Sequence, residues 1–334
     1  MLYKRKQRCF SPDMLICKGN FRGYMADSIR LYEVGMRDGL QTIEKEVTTD
    51  QKVALAEMLI KAGLDKIEIG SFVHPAIVPQ MRDTDVVFTK LVENLDIVPE
   101  IAALVPNREG LERGLESEIE YYNIYFSPSG EFNARNLGTP SLDRIFERYD
   151  EAILGMPPSF IRAYISCAFS SPFEDYDEAS FIEILNWCSG KVGTVVLADT
   201  DGSTTPKITV EKIKLAKTVF DNIAVHFHKP SAKRVGFEDL LNAAYLSGVR
   251  EFDCSVGGLG GCPFVPGSFG NLSTQFAVDW ANDYGIPLEQ KIDNAKLEAA
   301  EVYLQSVIKI PLAERARRYI SRKLRGVNIS PFSH

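Results

Sequence analysis

His226 and His228 stand two residues apart in Val225-His226-Phe227-His228, at the end of an apolar run that reads as a strand. Successive strand side chains alternate between faces, so the two imidazoles point the same way. The chain has 4 histidines, and half of them lie in this stretch. Two imidazoles on one face begin a metal site, or pack as a polar pair in a barrel interior, and the pair alone leaves both readings open. Other polar groups follow strand-like runs in the same manner: Arg37 and Asp38, Glu68, Asp199, and Cys262 with Asn271. Asp38, His226 and His228 make an O,N,N donor set, which the side-chain oxygen of Asn271 could complete. Mixed oxygen and imidazole donors without thiolate suit Mg²⁺ or Mn²⁺, with Zn²⁺ or Co²⁺ as further options. An ion there can hold a carbonyl and a hydroxyl together and stabilise an enolate. Cys262, in the loop after the last strand, could pass a proton if it reaches the site.

Each residue also has a plainer role. An aspartate after a strand often forms a turn. Glu68 could simply pair with Arg37, Asn271 could cap the helix that follows it, and Cys262 could be an inert buried thiol. The run Gly257-Gly258-Leu259-Gly260-Gly261 lacks GxGxxG spacing and a following Lys-Ser/Thr, so it is no nucleotide fingerprint.

The elements that must carry these groups alternate. Strand patterns fall at residues 29–34, 66–69, 97–105, 121–126, 161–169, 192–198, 223–227 and 252–256, with helical patterns between. Thr48 and Gln51 have capping-box spacing, Asn107 can cap a short helix, and Thr205-Pro206 opens another. Phe237, Leu240, Leu241, Ala244 and Tyr245 form a helical stripe that ends at Gly248. A last barrel helix is expected from about Ser268. Eight β–α units over residues 29–285 predict an α/β fold, the (β/α)8 TIM barrel, with a doubly wound open sheet as the alternative. Beyond residue 285 the pattern is helical, at 288–308 and 311–324, and residues 286–334 read as a helical extension packed on the barrel. Residues 1–28, with Lys4, Arg5, Lys6 and Arg8, read as a flexible basic extension, with an organelle-targeting segment or a true start at Met25 as alternatives.

The 334 residues are 25% charged and 45% hydrophobic, with a net charge of −7. That balance gives no reason to expect nucleic acid or an anionic membrane as partner. No run approaches the roughly 18–20 apolar residues that a membrane span needs. The 6 cysteines lack CxxC pairing, which fits reduced thiols and a cytoplasmic compartment.

The motifs resemble the 3-hydroxy-3-methylglutaryl-CoA lyases. Glu33-Val34-Gly35-Met36-Arg37-Asp38-Gly39-Leu40-Gln41, Ile67-Glu68, Ser71-Phe72-Val73 and Val78-Pro79-Gln80-Met81 carry the likeness. So do Ser166-Cys167-Ala168, Ala198-Asp199-Thr200, the HxH pair, and Gly258-Leu259-Gly260-Gly261-Cys262-Pro263 leading to Gly270-Asn271-Leu272. The resemblance implies a divalent-metal enzyme that cleaves 3-hydroxy-3-methylglutaryl-CoA to acetyl-CoA and acetoacetate. It implies Asp38, His226, His228 and Asn271 as metal ligands and Arg37 as the stabiliser of the enolate. It further implies Cys262 in proton transfer, Asp199 and Glu68 as acidic residues needed for activity, an acyl-CoA substrate and a homodimer. This chain departs from the family at Met36, Thr42-Ile43, Ala198 and Lys229-Pro230. Lys229 would repel an ion if it pointed inward, or could bind an extra substrate carboxylate. A related aldol or Claisen enzyme with another 2-oxo acid or acyl-CoA is the second reading. A barrel that serves only as a binding scaffold is the third, and it predicts no stoichiometric metal.

Overall fold

The computed structural model describes residues 27–173, 175–261 and 270–308. Eight parallel strands close into a barrel in chain order: β1 (Arg30–Glu33), β2 (Lys66–Ser71), β3 (Glu100–Leu104), β4 (Tyr121–Phe126), β5 (Ile161–Ile165), β6 (Thr194–Asp199), β7 (Ile223–Phe227) and β8 (Glu251–Cys254). β8 pairs back onto β1, with Leu31 opposite Phe252. Closure excludes the open doubly wound sheet, and the expected (β/α)8 barrel is the fold.

Strand alternation divides the molecule into two interiors. Outward residues such as Ile67, Ile101, Leu197, Val225 and Phe252 meet the helices in one large apolar core. Inward residues fill the barrel lumen, where small apolar groups around Tyr32 and Tyr164 share space with buried Glu68, Asn123, Arg162, His226 and Asp253. A lumen this polar requires that nearly every buried group find a partner.

The helix starts follow the expected chemistry. Thr48 and Gln51 cap helix Thr49–Lys61 reciprocally. Asn107 accepts from the Gly110 N–H, and Thr205 with Pro206 opens helix Pro206–Ala216. Boundaries moved where local geometry intervened. The fifth strand ends at Ile165, well short of 169, because Cys167 adopts a left-handed φ of 56° and its N–H bonds the Thr200 hydroxyl. The helix expected near Ser268 is Thr274–Tyr284, and its cap is Ser273. Asn271 is therefore not the cap of that helix and remains available to the site. The helical pattern at 288–308 begins later than expected, at Asn294. The preceding segment runs beside the start of β1, where Ile29 N–H bonds the Pro287 carbonyl. The pattern at 311–324 lies outside the described residues, as does the basic stretch with Lys4, Arg5, Lys6 and Arg8.

Helix Asn294–Ile308 buries Leu297, Ala300, Leu304 and Val307. It packs on helix Thr49–Lys61 and reaches the turn Val256–Gly258 beyond β8. Leu304 is 1% exposed, whereas Val302 on the same helix is 63% exposed. Leu304→Ala should cost about 2–5 kcal/mol of stability in urea unfolding of the full chain. Val302→Ala should stay within about 0.5 kcal/mol. Equal, small effects would mean that this helix lies outside the cooperative unit.

Candidate active site and metal centre

The chain leaves β1 through a single π-helical turn, Gly35–Gly39, in which the Val34 carbonyl accepts the N–H groups of Arg37, Asp38 and Gly39. This turn aims Arg37 and Asp38 over the barrel mouth. It is tied down by Glu33, whose carboxylate accepts from Gly35 N at 2.8 Å, Val256 N at 2.9 Å and the Thr274 hydroxyl at 2.6 Å. One buried group thus joins the Arg37–Asp38 turn, the glycine loop after β8, and the helix just beyond Asn271. A Cβ at Gly35 would lie 2.6 Å from Glu33 Oε1, so only glycine fits at that point.

His226, next to last in β7, is on its lumen face, and His228 follows the strand, bridged to Asn271. Their Nε2 atoms lie 3.2 Å apart. His228 Nδ1 is 2.8 Å from the Thr200 carbonyl, and His226 Nδ1 is 3.1 Å from Asp253 Oδ2. Both of those partners only accept, so each Nδ1 carries the proton. In the neutral rings both Nε2 atoms then present lone pairs toward one another. Asp38 Oδ2 adds a third acceptor, 3.8 Å from His228 Nε2 and 4.0 Å from His226 Nε2. Burial alone would raise the Asp38 carboxyl, but the Arg37 guanidinium beside it outweighs burial and holds it well below the usual carboxylate range.

Asn271 donates its amide N–H groups to Asp38 Oδ2 at 2.8 Å and to the Leu259 carbonyl at 3.1 Å. Both are acceptors, so its Oδ1 faces the other way, buried and without a hydrogen-bond partner among the described residues. Gly260 (φ 139°) seats its backbone against this pair; a Cβ there would lie 2.2 Å from Asn271 Nδ2 and 2.9 Å from Asp38 Oδ2. A carboxylate and two imidazole nitrogens thus meet in one buried place, with the Asn271 amide bonded to that carboxylate. The donor set fits a divalent cation on its chemistry. Among the described residues, Asp38, His226 and His228 form the group of side chains that could hold a metal, with ligand atoms within 4.8 Å of one another.

Arg37 stands beside this group. Its Nε lies 2.6 Å from Glu68 Oε2 and its Nη1 2.7 Å from Asp38 Oδ1, while Gln41 donates to the same Asp38 oxygen at 2.8 Å. Glu68 is held in turn by Asn123 at 2.7 Å. Arg37, Asp38, His226 and His228 open onto a cavity of about 730 Å³ that runs outward past Ile43, Val78 and Tyr125. Glu68, Asn271 and Asp199 stand behind that wall. Asp199 lies opposite the outward-facing Phe227 and accepts from Thr204 N at 3.3 Å. Burial, and then the neighbouring Asp201, push its carboxyl up to about 7. Lys229 is exposed, packs its stem near Gly270, and does not line the cavity, so the inward position considered for it is not taken. Cys262 lies outside the described residues.

Fold and site together define a TIM barrel with a buried carboxylate–imidazole centre and a fixed arginine at the strand C-terminal mouth. The HMGL-like family model matches residues 28–301. The (R)-citramalyl-CoA lyase of Chloroflexus aurantiacus is 30% identical over 307 residues, covering 86% of this chain and 93% of that protein. A hydroxymethylglutaryl-CoA lyase of Bacillus subtilis is 32% identical over 294 residues, covering 86% and 95%. Among solved structures, an HMG-CoA lyase from Acinetobacter baumannii in complex with coenzyme A and 3-methylmalate superposes with a TM-score of 0.78 at 29% identity, covering 85% of this chain and 92% of that one. The chain belongs to the HMGL-like family, and it is hydroxymethylglutaryl-CoA lyase-like. Among the described residues, no helix is long and apolar enough to cross a membrane.

Several groups around the site were not singled out from sequence: Gln41, Asn123, Arg162, Tyr164, Asp253 and the Thr200 carbonyl. The signal was present for two of them. Arg162 and Asp253 interrupt apolar strands at alternating positions, which marks a polar lumen. Glu33 carries a testable consequence. Burial raises its carboxyl from 4.5 to about 7, against the pull of its three donors. A carboxyl raised in the folded state favours folding while neutral, so its contribution is present below 4.5 and lost as pH rises through about 7. Glu33→Gln keeps two accepted N–H bonds and one bond to Thr274 without titrating. Between about pH 5 and pH 8 the natural protein should lose on the order of 1–3 kcal/mol more stability than the variant, by urea unfolding. Parallel pH curves would contradict this account of Glu33.

Proposed function

We propose that the protein is a divalent-metal-dependent carbon–carbon lyase acting on a 3-hydroxyacyl-CoA, with 3-hydroxy-3-methylglutaryl-CoA as substrate and acetyl-CoA and acetoacetate as products. The buried convergence of Asp38, His226 and His228 beside a fixed Arg37 carries this reading. Those three residues would hold the ion, with Asn271 as the fourth once its amide turns its oxygen toward them. When bound, the ion supplies Lewis acidity to the hydroxyl and carboxylate oxygens of the substrate.

The remaining work falls to the chain. The hydroxyl proton passes to a base or to solvent, the C2–C3 bond breaks, and its electron pair becomes the enolate of the acetyl thioester. Arg37 opens onto the cavity with its guanidinium already oriented by Glu68 and Asp38, so it can meet the enolate oxygen without reorganising. Glu68 acts through Arg37. Asp199 holds the turn that follows β6 by accepting from Thr204 N, and that turn carries the Thr200 carbonyl that orients His228. Cys262 would return a proton to the enolate carbon. The thiols of Cys188 and Cys254 are free and buried, which accords with a cytoplasmic setting. A homodimer is part of the proposal by family likeness.

Citramalyl-CoA is the competing substrate, and the Chloroflexus aurantiacus relative motivates it. It carries its carboxylate directly on the carbinol carbon, one methylene closer than in 3-hydroxy-3-methylglutaryl-CoA, and would yield pyruvate. Ile43, one of the departures from the family pattern, lines the cavity, so substrate preference can differ here. The full chain with Mn²⁺ or Mg²⁺ should release acetoacetate from the glutaryl ester with a higher kcat/KM than pyruvate from citramalyl-CoA. The reverse order would assign citramalyl-CoA. His226→Ala should lower kcat/KM by at least about 100-fold for either ester; undiminished cleavage would contradict the site.

A further inference from the structure

We propose that Asp253 is a positioning residue for the metal centre, fixing His226 as the tautomer that presents a bare Nε2 to the ion. The inference rests on the reading of Asp38, His226, His228 and Asn271 as the residues that hold that ion.

Asp253 sits on the lumen face of β8, 2% exposed. Its Oδ2 lies 3.1 Å from His226 Nδ1. The carboxylate is gripped from the other side of the lumen by β5. Arg162 Nη2 reaches Oδ1 at 2.5 Å and Nη1 reaches Oδ2 at 3.3 Å, while the Tyr164 hydroxyl donates to Oδ2 at 2.8 Å. Arg162 is fixed in turn. Its Nη1 donates to Tyr164 at 2.6 Å, its Nε donates to Glu251 at 3.1 Å, and its guanidinium lies 4.0 Å from the centre of the Tyr32 ring. The Asp253 carboxylate cannot turn without breaking this fork. It offers only lone pairs, so His226 Nδ1 must donate, and Nε2 is left as a lone-pair donor toward the centre.

The two histidines are set by different devices. His228 is fixed by a backbone carbonyl, which no substitution at Thr200 removes. His226 depends on a side chain, and an isosteric change there separates tautomer from packing. In Asp253→Asn, Arg162 Nη2 at 2.5 Å demands an acceptor at the Oδ1 position more strongly than Nη1 does at Oδ2, 3.3 Å away. The amide nitrogen therefore falls where Oδ2 was, the Tyr164 hydroxyl turns to accept, and the remaining N–H faces His226 Nδ1. His226 must then accept at Nδ1 and carry its proton on Nε2, where it blocks the ion.

The test uses the full chain. Long-range nitrogen-15 spectra of the metal-free protein at about pH 8.5, where an ordinary histidine is neutral, report the tautomer of each ring. The chain has 4 histidines, so assignment is direct. The natural protein should show His226 protonated on Nδ1, and Asp253→Asn should show it protonated on Nε2. Mn²⁺ titration followed by electron paramagnetic resonance should give an affinity about 10–100-fold weaker for the variant. An unchanged tautomer with unchanged affinity would overturn the proposal. So would a natural protein whose His226 is protonated on Nε2, a result obtained even if the variant does not fold. If the natural protein takes up no Mn²⁺, the metal reading fails, while the spectra still decide whether Asp253 sets the ring.

Discussion

Two imidazole nitrogens held 3.2 Å apart, whose lone pairs face one another when both rings are neutral, beside an ionised buried carboxylate, form the constraint on which the rest of the structure depends. Left to themselves these acceptors repel. They stay together because each is fixed from behind: His228 by the Thr200 carbonyl, His226 by Asp253, and Asp38 by Arg37, Gln41 and Asn271. A cation at their meeting point would convert repulsion into coordination. The barrel can hold this arrangement because four different strand ends and loops converge at its mouth, each anchored far below in a closed sheet.

That arrangement explains the polar lumen. Behind the mouth lies a connected layer of charges and amides, Glu68–Asn123–Tyr32 on one side and Arg162–Tyr164–Asp253 on the other. Such groups contribute little as stabilisers, since burying charge offsets much of the attraction gained. They orient. Arg37 is aimed by Glu68 and His226 by Asp253, so the cavity wall presents a fixed cation next to a fixed set of acceptors. Glu33 plays the corresponding part for the backbone, since it joins the turn after β1 to the loop after β8.

Much of the fold was legible in the sequence. The eight strands, the helix caps at Thr48, Asn107 and Thr205, and the stripe from Phe237 to Tyr245 all rest on local periodicity and capping, which act over a few residues. The end of β5 was not legible, because it depends on a left-handed Cys167 held by a threonine in the turn after β6. Neither was the π turn at Gly35–Gly39, which needs Glu33 and the turn beyond β8 to hold it. Asp38, His226 and His228 could be placed together from strand-end position alone, and Glu68 as the partner of Arg37 from charge. Asp253, Arg162 and Gln41 could not be tied to the site in this way, since which lumen residues touch depends on barrel register. Lys229 shows the converse: a charge next to the histidines in sequence turns to solvent once the strand has ended.

The claim that carries the account is that a divalent ion belongs among Asp38, His226, His228 and Asn271. A crystal of the full chain grown with Mn²⁺ and measured for anomalous scattering tests it most directly. One strong anomalous peak within coordination distance of both Nε2 atoms, an Asp38 carboxylate oxygen and the Asn271 side-chain oxygen is the predicted result. Empty density there, with the two rings still facing one another, would contradict it.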